Sequence, residues 1–147
     1  MGTINYGYNK YFNMGMNLSL NYDEYDYIGE FNYLIEETQE TLNKYNFEYF
    51  TVTLESGYYE GFYLDIDFNY LWVDYYEKAL ILKELTLLKK LLFELCYIGL
   101  VRYSPGWCMT YYTEQETKTA IKKAIREAKE EIKHFPTYKK YKEGINA

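Results

Sequence analysis

The chain has 147 residues, of which 48% are apolar and 21% aromatic, and its formal net charge at pH 7 is −6. That length suffices for one domain with its own core, and that apolar content excludes a disordered chain. Two cysteines and a single histidine exclude a disulfide framework and a histidine-rich metal cluster.

The predicted elements begin with Phe12, Met14, Met16, Leu18 and Leu20, which alternate with Asn13, Gly15, Asn17 and Ser19. That period of two predicts a half-buried strand, with Tyr6 and Tyr8 as its earliest start. From Asp23 the period changes. Tyr27, Phe31, Leu34, Ile35, Thr38, Leu42 and Tyr45 form one helical stripe, with Glu36, Glu37 and Glu40 off it. Phe50, Val52 and Leu54 then share one face of a second strand, and Ser56-Gly57 turns into a third. In that third strand Leu64, Ile66, Phe68 and Tyr70 alternate with Tyr63, Asp65, Asp67 and Asn69, which gives one greasy face and one acidic face.

The longest helix is predicted from about Asp74 to Ile98. Leu80, Leu82, Leu85, Leu88, Leu92, Leu95 and Cys96 cover an arc wide enough to make it the most buried element, and Gly99 stands at its C-terminal cap. "LVRY" and "CMTYY" flank Ser104-Pro105-Gly106-Trp107 and predict a hairpin. Thr113 and Glu116 have capping-box spacing, and the helix they open carries a narrow stripe of Ala120, Ile121, Ala124, Ile125, Ala128 and Ile132. Pro136 ends it. The whole is expected to be a single α+β domain over residues 1–147, with 1–5 and 136–147 as loosely ordered ends. Its element order is the ferredoxin-like βαββαβ, an antiparallel sheet with helices packed on one face, plus an appended C-terminal helix.

Charge is unevenly placed along this order. Residues 1–75 carry 13 acids against Lys10 and Lys44, whereas residues 76–147 carry 14 lysines and arginines against nine acids. An acidic first half repels nucleic acid and attracts basic protein surfaces. No basic segment followed by an apolar stretch opens the chain, Tyr6 stands where a myristoylation pattern wants Ser or Thr, and no apolar run reaches membrane-spanning length. A cytoplasmic protein with no membrane partner is expected.

Few residues offer chemistry. Asp65, Asp67 and Asn69 open like a calcium loop, but Tyr70 and Tyr76 occupy the positions that need glycine and a bidentate glutamate. A two-metal hydrolase on Asp65 and Asp67 would need further converging ligands, which nothing in the sequence fixes. Asp65 and Asp67, two apart on one strand, are expected to share similar surroundings, so no acid/base division of labour is read from them. His134 lies in the last turn of its helix, where a cation complements the dipole. No catalytic residue, metal site or cofactor is therefore assigned. The lysines of the last third are interleaved with Glu127, Glu130 and Glu131 at helical pair spacing (Glu127 with Lys123, Glu130 with Arg126) and read as a solvated helix face. Direct nucleic-acid binding is not expected from them, although an accessory protein using that basic helix is the main alternative. Trp107, at the hairpin tip, is either folded on the core or an interface anchor.

The carboxylates of the first half are interleaved with tyrosines, of which the chain has 21. Charge to steer an encounter and tyrosine rings to supply contact area suit docking on a basic surface. The expected partner-binding set is Asp65, Asp67, Asn69, Tyr63, Glu55, Glu60, Tyr58, Tyr59 and Trp107. In size, charge and Tyr/Asn/Lys-rich composition the chain resembles small acidic phage or mobile-element inhibitors of bacterial defence, of the anti-CRISPR and anti-restriction kind. The resemblance implies a non-enzymatic inhibitor in the host cytoplasm whose partner is a host protein with a basic nucleic-acid-binding surface. It transfers no individual residue. A homodimer stays open.

Overall fold

The alternation in two strands and the stripes of three helices fix the layout of the computed structural model, which describes residues 16–21, 28–56, 61–68, 70–104 and 110–146. In chain order the elements are β1 (Leu18–Leu20), α1 (Ile28–Asn43), β2 (Phe50–Ser56), β3 (Phe62–Phe68), α2 (Tyr75–Ile98), β4 (Leu100–Ser104), β5 (Thr110–Tyr111), α3 (Glu114–Lys133) and α4 (Tyr138–Asn146). The protein is α+β. Its five described strands form one open sheet in the order β2-β3-β1-β4-β5, with every neighbouring pair antiparallel.

The β2–β3 register explains the period of two. Phe50 faces Phe68, Val52 faces Ile66 and Leu54 faces Leu64, while Thr51, Thr53 and Glu55 face Asp67, Asp65 and Tyr63 on the other side. Leu64 and Phe68 are buried and Ile66 is half-buried against the same core. Asp65 and Asp67 point away from that core, as the alternation requires, yet they are half-buried and not free in solvent. The upstream part of the first predicted strand, before Met16, and the start of the first helix, before Ile28, lie outside the described residues.

α2 is the spine of the core. Ile81, Leu85, Leu88, Leu91, Leu92, Leu95 and Cys96 are its buried residues. Ile81, Leu85, Leu88, Leu92 and Leu95 repeat at alternating steps of four and three, which keeps one stripe of a 3.6-residue helix facing inward. Leu80 precedes that stripe by about 100° of helix rotation and is 43% exposed, which corrects its expected place in the core. Each fully buried leucine contributes on the order of 1.5–3 kcal/mol, so this stripe dominates the stability of the fold. Gly99 ends α2 with a φ of 154°, a backbone conformation that favours glycine, and its N–H donates to the Leu95 carbonyl at 2.9 Å.

α3 starts on the expected capping box. The Glu116 N–H donates to Thr113 Oγ1 at 3.1 Å, and the Thr113 N–H donates to Glu116 Oε1 at 3.2 Å. One turn on, buried Thr117 docks the helix on the sheet: its hydroxyl donates to the Thr113 carbonyl at 2.8 Å and accepts from the Arg102 N–H of β4 at 3.0 Å. The α3 stripe is Thr117, Ile121, Ala124, Ile125, Ala128 and Ile132, with Ala120 only half-buried. His134 is the C-terminal cap residue, and its N–H donates to the Glu131 and Ile132 carbonyls.

Beyond Pro136 the chain forms α4, a helix absent from the sequence reading. It is anchored by the Val73 N–H, which donates to the Pro136 carbonyl at 3.0 Å, and by the Tyr138 ring, 4.8 Å from that of Trp72.

Candidate functional site

The sheet register assembles part of the expected partner-binding set. Glu55, Tyr63, Asp65 and Asp67 lie on one side of the β2–β3 pair, together with Thr51 and Thr53. This side of the pair holds three carboxylates and no lysine or arginine. Glu55 and Thr51 are exposed and Tyr63 is 38% exposed, so the β2 border of this face is open to a partner. Toward β1 the same face closes, because Ser19, the cross-strand partner of both Tyr63 and Val101, is buried, as is Val101. The Ser19 hydroxyl has no hydrogen-bond partner among the described residues. Tyr58, Tyr59, Glu60, Asn69 and Trp107, the other members of the expected set, lie outside the described residues.

The two aspartates lie on the same side of β3. Burial first, and then the hydrogen bond and charge of Asp67, raise the Asp65 carboxyl above its ordinary value of 3.8. The sequence alone predicts a plain solvated pair; the half-burial of this strand face is what raises Asp65. A raised carboxyl in the fold means that the folded chain binds more protons than the unfolded one between the two pKa values. Stability is therefore lost as pH rises through that window, and the loss is complete above the folded value. Asp65→Asn should raise the melting temperature at pH 7.5, by an amount equivalent to no more than about 1 kcal/mol. The gain should shrink toward zero as pH falls to about 4. A gain that does not change with pH in thermal melts across that range would contradict the raised Asp65 carboxyl.

A second set of carboxylates lies between α2 and the start of β2. Glu84 accepts from the backbone N–H groups of Glu48 at 3.1 Å and Tyr49 at 3.0 Å. Burial, followed by a hydrogen bond to Glu77, raises the Tyr49 phenol, while Glu77 also accepts from the Asp74 N–H at 3.1 Å. Burial and then Glu94 push the Tyr45 phenol up to about 12. All three α2 glutamates are thus committed to the side of the helix that faces the α1–β2 connection. The Cys96 thiol, pushed up to about 12 mainly by burial, packs as a small hydrophobe. Among the described residues no group of three His, Cys, Asp or Glu side chains is placed to hold a metal ion, and no helix is long and apolar enough to cross a membrane.

The side of α2 that faces α3 is basic. Between α2 and α3 runs a groove of about 520 Å3, lined by Lys83, Lys89, Lys122, Arg126, Lys129 and Lys133 over a floor that includes Leu82 and Ile125. Glu130 is its one carboxylate and is paired with Lys133 at 2.9 Å, not with Arg126 as the helix spacing suggests. Lys129 Nζ donates to Thr86 Oγ1 at 2.7 Å, and Lys78 Nζ donates to the Lys133 carbonyl at 3.0 Å, so both helices are tied across the seam. Burial and then the Lys140 charge lower the Lys78 ammonium. Glu116 and Glu127 line a different groove, with Arg102, Tyr112 and Lys123. Sequence reasoning missed this segregation, since Lys83 and Lys89 come from a helix about 40 residues upstream of their α3 counterparts.

Compared with family models, with curated proteins and with solved structures, the chain gives no significant match.

Proposed function

We propose that this is a non-enzymatic binding protein of the anti-defence type, an inhibitor that docks its acidic sheet face on a basic nucleic-acid-binding surface of a bacterial defence protein. The observation that carries this reading is the β2–β3 register, which gathers Glu55, Tyr63, Asp65 and Asp67 on one side without an intervening cation. Carboxylates that project from one sheet face present negative charge in a regular array. Tyr63 adds a ring whose apolar area can be buried while its hydroxyl stays hydrogen-bonded. The strand order, read from the other edge as β4-β1-β3-β2, supports a ferredoxin-like arrangement of the first six elements, with β5 extending the sheet and α3 and α4 appended.

The test is a plasmid-transformation assay in cells that carry a CRISPR or a restriction system. The wild-type chain is expected to raise transformation efficiency against at least one such system by tenfold or more, a steering-sized effect. A Glu55→Lys/Asp65→Asn/Asp67→Asn variant, with circular dichroism and melting cooperativity retained, should lose most of that protection. Equal protection by the variant, or none by the wild type against either class of system, would defeat the reading.

A further inference from the structure

We infer that the α2–α3 seam is a binding site for the phosphate backbone of duplex DNA, read without regard to sequence. The inference goes beyond the sheet-face reading and stands on different residues. Six cations line one continuous groove, and its single carboxylate is already paired with Lys133. The arrangement is not the average of two mixed-charge helices. Glu84 is drawn to the start of β2, Glu77 and Glu94 are engaged by Tyr49 and Tyr45, and Glu116 and Glu127 line the other side of α3. Folding therefore sorts the charges that the sequence interleaves.

The dimensions and chemistry select the occupant. Lys122 to Lys133 span about 16 Å of helix axis, and with Lys133 paired to Glu130 the other five cations supply charge for about five phosphates of a duplex. The lining has no aromatic ring, so it offers no platform for the stacked bases on which single-strand binding depends. Its one hydroxyl, Thr86, accepts from Lys129 and donates to the Leu82 carbonyl, so the donors left to a ligand are charged, and these favour phosphate oxygens over a neutral ribose hydroxyl. Charges supplied by lysine and arginine stems over an apolar floor suit a backbone contact that releases counterions. The net charge of −6 does not prevent this, because acids farther away than about 8 Å are screened at physiological ionic strength.

The experiment is fluorescence anisotropy with a labelled DNA duplex of about 20 base pairs and mixed sequence, titrated between 50 and 200 mM NaCl, alongside a single strand and an RNA duplex of equal length. With about five phosphates neutralised, log affinity should fall with log salt at a slope near −4.5, a loss of about 500-fold across that range. Lys83→Gln/Lys122→Gln/Arg126→Gln should lower affinity at 50 mM by more than tenfold and reduce the slope to about −2. Each single substitution, safer for folding, should remove about 0.9 from the slope. Lys123→Gln, on the other side of α3, should change neither. The sheet-face variant Glu55→Lys/Asp65→Asn/Asp67→Asn should bind the duplex at least as tightly as wild type, which separates failure of this inference from failure of the inhibitor reading. Absence of duplex binding at 50 mM, tighter binding of the single strand or the RNA duplex, or equal binding by the folded triple variant would each overturn it.

Discussion

Phe68→Ala is expected to lower the free energy of unfolding by about 3–5 kcal/mol, the largest effect of any single truncation in the sheet. Phe68 closes β3 and is almost wholly buried. Its ring centroid lies 5.3 Å from that of Phe50 on β2, 5.4 Å from Tyr70 and 5.5 Å from Phe135, the last in an edge-on arrangement. Truncation removes the transfer energy of the ring, leaves a cavity among rigid aromatic neighbours that cannot collapse into it, and breaks three tilted or edge-on ring pairs worth about 0.5–1.5 kcal/mol each. Because Phe135 directly follows the C-terminal cap of α3, the same change loosens the end of that helix from the sheet. Urea unfolding should show a lower midpoint with an unchanged slope. A loss below about 1 kcal/mol would mean that the aromatic cluster is not the packed junction described.

What the sequence made legible follows from which periods survive folding. β2 and β3 alternate cleanly because one face packs on the core and the other does not. The side on which Glu55, Asp65 and Asp67 lie was therefore readable from residue order alone. The half-burial that raises Asp65 was not, because it depends on what else covers that strand face. α2 was legible as a buried helix, but its arc was misplaced by one residue at the start: Leu80 looks as apolar as Ile81, and only the packing direction separates them. α4 left no usable signal. Nine residues with Gly144 inside them cannot hold a helix unaided, and contacts of Tyr138 and Pro136 with Trp72 and Val73, more than 60 residues upstream, anchor it. The basic seam was hidden for a related reason. Along α3 alone, glutamates and lysines alternate at pair spacing, and only the rotation of α3 against α2 decides which side each one takes.

That sorting of charge has a structural counterpart in Glu84, whose replacement by alanine should cost about 2–3 kcal/mol. Both carboxylate oxygens are used, one by the Glu48 N–H at 3.1 Å and the other by the Tyr49 N–H at 3.0 Å. Charge-assisted bonds of this kind are stronger than neutral ones, and Tyr49 is only 3% exposed, so its amide would be left without an acceptor and largely out of reach of water. Alanine is the better helix former by a few tenths of a kcal/mol, which opposes the loss, so any destabilisation measured must come from the broken tie. Glu84→Gln keeps one acceptor oxygen but turns an NH2 group toward the second donor, and should fall between alanine and wild type. The amides of residues 48 and 49 should lose hydrogen-exchange protection in both variants. Glu84 faces away from the α2–α3 seam, so duplex affinity at 50 mM NaCl should stay within about twofold of wild type for any variant that remains folded, a change within the scatter of an exposed, screened charge. A Glu84→Ala protein as stable as wild type would show that the start of β2 is held by its buried rings alone, and that the carboxylate is on that side of α2 for some other reason.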